Sequence, residues 1–97
     1  MDTQKLTELY RRLVHEALRN APGEVKLFRI IARDAGDDLQ VELQSNPQFE
    51  LNDESIEALR EIFLLCLESG QNVTELRADA VRQADDSWKM NVDYDHA

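Results

Sequence analysis

Residues 51–70 read LNDESIEALREIFLLCLESG, and the rest of the chain is organised around them. Asn52 can accept from the first free backbone N–H groups of a helix, Asp53, Glu54 and Glu57 put negative charge at its positive end, and Leu51 can staple onto Ile56. Gly70 can supply the left-handed residue that ends it. Ile56, Leu59, Phe63 and Cys66 or Leu67 recur at helical spacing, and from Ile62 to Leu67 the apolar stripe widens until little polar surface remains. A helix apolar over most of its circumference has to be covered on more than one side. That requirement predicts a sheet against it and a second helix beside it.

The flanking segments supply both. Toward the amino terminus, Leu39, Val41 and Leu43 alternate with Gln40, Glu42 and Gln44 in the period of two of a half-exposed strand. Residues 25–33, VKLFRIIAR, are β-branched and aromatic and too short for a free helix, and DAGDD at 34–38 joins the two strands as a turn. Ser45, Asn46, Pro47 and Gln48 break the pattern, with Phe49 anchoring the crossing to the helix. Leu6, Leu9, Tyr10, Leu13, Val14, Ala17 and Leu18 make residues 3–20 an amphipathic helix, capped by Asp2 or Thr3 and stopped by Pro22 and Gly23. On its solvated side Glu8 can pair with Arg12, and Arg12 with Glu16.

Beyond Gly70, residues 73–82 form a weaker strand in which Thr74, Leu76, Ala78 and Ala80 share one face and Arg77 and Asp79 the other. Residues 84–87, ADDS, are a turn, and Trp88, Met90, Val92 and Tyr94 then alternate with Lys89, Asn91, Asp93 and Asp95. The expected fold is α+β in the order αββαββ, a four-stranded, mainly antiparallel sheet with two helices on one face, in a single domain over residues 1–97. The other face is expected to be polar and open, presenting Gln40, Glu42, Asp79, Asp93 and Asp95 with Arg77 and Lys89 interspersed.

Ninety-seven residues suffice for one modest core. Eleven lysines and arginines against 20 aspartates and glutamates give a net charge of −9, which disfavours nucleic acid and anionic membranes and favours a cationic partner. Surplus carboxylate also keeps a small protein in solution. Cys66 is the only cysteine, so an intrachain disulfide and a thiolate metal cluster are both excluded. A polar amino terminus and the lack of any run near the roughly 20 apolar residues of a membrane span give the expectation of a cytoplasmic protein.

The residues carry no sound catalytic constellation, so the expectation is a protein that is not an enzyme and has no cofactor or metal. His15 and His96 sit in no spacing that pairs either with a nucleophile or sets two ligands on one ion. Cys66 lies in the most apolar turn of the central helix, where burial blunts a thiol. Gly23, Gly36 and Gly70 stand alone rather than in a phosphate loop. Asp34, Asp37 and Asp38 surround one turn and Asp85 and Asp86 occupy another, and neither turn has the ordered oxygen ligands and closing glutamate of a calcium loop. Aspartate caps turns by bonding to nearby backbone, which explains most of these residues, and a partner-binding rim is the other reading. Carboxylates on the open face are either a solvated sheet surface or an acidic recognition surface. Trp88 and Tyr94 belong to the core side of the last strand or anchor an interface.

The carboxyl-terminal half resembles the YezG-like family of bacterial immunity proteins, small antitoxins of secreted toxins. The resemblance lies in Leu59-Arg60-Glu61-Ile62-Phe63 on a helix ending at Ser69-Gly70, in Val73-Thr74-Glu75-Leu76, and in Trp88-Lys89-Met90-Asn91-Val92-Asp93-Tyr94-Asp95. It implies a noncatalytic antitoxin that binds a cognate toxin, and the chain's charge suits a basic nuclease domain whose cleft an acidic protein can fill in place of phosphates. The expected contact residues are Asp34, Asp37, Asp38, Glu42, Asp85, Asp86, Asp93 and Asp95. The alternative is a noncatalytic cytoplasmic adaptor or regulatory protein-binding module, including a homodimer joined through a sheet edge or the open face.

Overall fold

A computed structural model describes residues 3–97. Helix α1 spans Thr3–Leu18, strands β1 and β2 span Leu27–Asp34 and Leu39–Ser45, helix α2 spans Asp53–Glu68, and strands β3 and β4 span Val73–Arg82 and Trp88–His96. This is the expected α+β order. Every strand pairing is antiparallel, and the sheet runs β2-β1-β3-β4, so two hairpins join through their first strands.

Helix α2 begins and ends where its residues dictate. Asn52 accepts from Ser55 N–H at 2.8 Å and from the buried Ser55 hydroxyl at 2.9 Å, while its amide donates to Glu16 O on α1 at 3.0 Å. One asparagine therefore caps α2 and ties it to the neighbouring helix. At the other end Gly70 adopts φ +80° and donates to Leu67 O at 3.0 Å, and Gln71 N–H reaches Cys66 O at 3.0 Å. These bonds and those of Ser69 N–H satisfy carbonyls of the last turn, and the left-handed residue that allows them costs least as glycine.

The core lies between the helices and one face of the sheet. Leu9, Leu13 and Ala17 of α1 and Leu59, Ile62 and Cys66 of α2 cover Phe28, Ile30 and Ala32 of β1 and Leu76, Ala78 and Ala80 of β3. Phe28 meets Phe49 edge-on at 5.6 Å, which anchors the crossing segment, and meets Trp88 at 5.4 Å. Among the described residues, no buried side-chain nitrogen or oxygen lacks a hydrogen-bond partner.

Five local expectations are corrected. Strand β1 starts at Leu27 rather than at Val25, which is buried in the lead-in turn and donates to Pro22 O at 3.1 Å. The register shifts between Val73 and Glu75, so Val73 rather than Thr74 fills the core, and the Thr74 hydroxyl turns to Asp95 O at 3.2 Å. Arg12 does not pair along its own helix; it reaches across to Glu61 and, at 3.6 Å, to Glu54 of α2. Helix α1 ends at Leu18, two residues early, because hydrogen bonds from Arg19, Asn20 and Ala21 to carbonyls three residues back tighten the chain into turns. The widened stripe of α2 is not covered all round, since Leu64 and Leu67 are 54% and 64% exposed. The Asp2 cap lies outside the described residues.

Candidate functional site

The face of the sheet away from the helices is a charge lattice. Strand alternation and register set Arg29 and Arg33 of β1 beside Asp79 and Glu75 of β3, with Arg77 flanked by Asp93 and Asp95 of β4. Arg29 grips Asp79 with two hydrogen bonds of 2.6 and 3.1 Å, Arg33 grips Glu75 at 2.6 and 3.0 Å, and Arg77 holds Asp95 at 2.8 and 3.0 Å while also pairing with Glu75. Hydrogen bonds from Arg33 and Arg77 hold the Glu75 carboxyl below the usual carboxylate range, and Arg77 does the same to Asp95. The face is open as expected and polar over most of its area, but Leu27 and Val81 stand exposed side by side at one end of it. It is not strongly acidic, because its arginines and Lys89 nearly balance its carboxylates.

The expected contact residues separate onto three surfaces. Asp34, Asp37 and Asp38 gather at the β1–β2 turn, beside the start of β3 and the end of β4. Asp85 and Asp86 lie at the opposite end of the sheet, about 25 Å away at ~3.3 Å per strand residue. Glu42 stands on edge strand β2, whereas Asp93 and Asp95 stand on the opposite edge strand β4. The eight do not form one patch.

Turn chemistry explains part of each aspartate cluster. Asp34 accepts from Gly36 N–H at 2.9 Å, where glycine takes φ +96°, and Asp38 accepts from Leu39 N–H at 2.8 Å. Asp85 accepts from Ser87 N–H at 3.1 Å and from its hydroxyl at 2.6 Å, and Asp86 adopts φ +66°. Asp37 has no such duty.

At the β1–β2 end these aspartates border a hollow of about 400 Å³ between the turn and the last turns of α2, whose apolar lining includes Leu39, Phe63, Leu64, Leu67 and Val73. Arg60 closes one side, donating to both Asp38 carboxylate oxygens at 3.2 and 3.3 Å and pairing with Glu57. Hydrogen bonds from Arg60 hold Asp38 below the ordinary carboxylate range. With that cation occupied, Asp34 and Asp37 have no ion-pair partner among the described residues. On the far side of Leu64, Glu61 and Glu68 line a second, smaller hollow together with Lys5. Two exposed leucines thus stand between carboxylates on both sides.

The sequence reading took Leu64 and Leu67 for core and so missed them as surface. The surplus was visible, since a stripe centred on Leu59, Ile62 and Cys66 already fills the face that packs on the sheet. Cys66 is buried and its thiol is pushed up by desolvation. Inside, Tyr10 of α1 and Tyr94 of β4 share a hydrogen bond between hydroxyls, and burial raises both phenols. His15 lies exposed on the groove between α1 and β4. Among the described residues no three histidine, cysteine or acidic side chains converge in a way that could hold a metal ion, and no helix is long and apolar enough to cross a membrane. Compared with protein-family models, curated proteins and solved structures, the chain finds no match.

Proposed function

We propose that the protein is a noncatalytic immunity protein that binds a basic nuclease toxin domain through the acid-rimmed end of the molecule. The reading rests on one observation: Leu64 and Leu67 stand exposed in a hollow whose rim carries Asp34, Asp37 and Asp38. Exposed leucines on a helix supply apolar area that a partner can desolvate, and a rim of one charge sign steers a cationic partner and rejects acidic ones. Inhibition of this kind requires no chemistry from the antitoxin, only occupation of the toxin's anion-binding cleft or its rim.

Tagged protein captured from its native cells at low salt, with partners identified by mass spectrometry and the capture repeated at high salt, tests the proposal. The expected result is one basic protein whose recovery falls with salt and whose toxicity the complex suppresses. Recovery of an acidic or regulatory partner, insensitive to salt, overturns it in favour of an adaptor. Reversal of Asp37 and Asp38 to lysine is expected to weaken capture about tenfold and to flatten its salt dependence.

A further inference from the structure

The two edges of the sheet are treated differently. Strand β2 is met near its end by its own continuation: the Gln48 amide donates to Leu43 O at 3.0 Å, and the chain then crosses over Phe49 to α2. Strand β4 is not met in this way. Arg82 N–H donates to Lys26 O at 2.8 Å, so the backbone of Arg82 faces β1, and Trp88 opposite it turns its own backbone away from β3. By alternation Met90, Val92 and Tyr94 do likewise. Among the described residues none of these four offers its N–H or C=O to another element.

The side chains of that edge are self-complementary. Lys89 and Asp93 lie on the outward face of β4 on either side of Asn91, and among the described residues neither forms an ion pair. On the inward face Trp88, Met90 and Val92 are only half buried and line, with Tyr10, Val14 and Leu18 of α1, an apolar groove of about 510 Å³.

We infer that β4 pairs with β4 of a second copy, antiparallel about a two-fold axis at Asn91, giving a continuous eight-stranded sheet. This register sets Lys89 of each copy opposite Asp93 of the other. It brings outward-facing backbone groups together as Met90 with Val92 and Trp88 with Tyr94, so the free donors and acceptors meet. It also extends the half-buried apolar row of β4 across the junction. Strand β2 has no equivalent solution, because its outward face offers only Gln40, Glu42 and Gln44 and no cation. An isologous pair of this kind closes on itself and removes an edge that would otherwise template aggregation.

Sedimentation equilibrium of the full chain from micromolar to submillimolar concentration tests the pairing. The expected mass is twice the 11.2 kDa of one chain. Lys89→Asp and Asp93→Lys are each expected to weaken dimerisation about tenfold or more, since each replaces two attractive pairs by two like-charge pairs. The double variant, which exchanges the charges, is expected to recover wild-type affinity. Val92→Pro removes one outward N–H at the edge without touching the β3 ladder, and it is expected to be monomeric with an unchanged circular dichroism spectrum. A wild-type chain that stays monomeric throughout, or a dimer indifferent to the charge variants, overturns the inference.

Discussion

The open sheet face and the β1–β2 end both carry clustered carboxylates, yet only one of them is an acidic surface. On the sheet, antiparallel register puts an arginine beside nearly every acid, and Arg29, Arg33 and Arg77 convert the face into paired charges. At the turn, Arg60 is held between Asp38 and Glu57, and Asp34 and Asp37 look into solvent beside exposed leucines. Net charge therefore says little about where a field is strong. A partner drawn by potential meets the end of the molecule rather than its broad face.

Substitution of both exposed leucines sharpens this contrast most. Leu64→Gln with Leu67→Gln, which keeps the charge and the helix propensity, is expected to weaken partner binding about a hundredfold, the loss typical of removing central apolar anchors. Stability should move by about 0.5 kcal/mol or less, because neither side chain is buried in the fold. Titration of partner binding by calorimetry, beside denaturant unfolding, reads both. A loss of stability without loss of affinity would make the leucines part of the core after all.

The converse test is smaller and falls on the lattice. Arg77→Met leaves Asp95 without its partner and Glu75 with Arg33 alone. Thermal unfolding should show a lower Tm while affinity for the partner stays within twofold. If affinity fell instead, the open face would belong to the binding surface.

The smallest effect is in pH and involves both regions. Asp38 is held below the ordinary range by Arg60, Glu75 by Arg33 and Arg77, and Asp95 by Arg77. As pH falls through about 4 the unfolded chain takes up these protons first, so the stability they contribute is present above that range and is lost toward their lower folded values. Unfolding midpoints in urea should decline below about pH 4 and decline less in high salt, since the groups are exposed and screened. At the alkaline end the sign is opposite for the Tyr10–Tyr94 pair, whose burial holds both phenols protonated after unfolded tyrosine has ionised near pH 10. Stability should fall above that pH, and the fall should be reduced in Tyr10→Phe.

Much of the architecture was legible in single residues. Asn52 and Gly70 delimit α2, Gly36 and its aspartates turn the first hairpin, and the alternation from Trp88 to Tyr94 assigns the faces of β4. These features are local: a cap, a left-handed φ and a period of two are properties of neighbours in the chain, and they hold whatever the chain packs against. Tertiary structure alone decided the rest. Which strands lie side by side set Arg29 against Asp79 and added the Arg33–Glu75 pair to the open face, and a register shift exchanged Val73 for Thr74 in the core. The packing of α2 left Leu64 and Leu67 outside, and the path of residues 45–51 brought Gln48 back onto the edge of β2 at Leu43. Ion pairing and burial depend on what comes within a few ångströms from far along the chain, and no periodicity within one segment contains that distance.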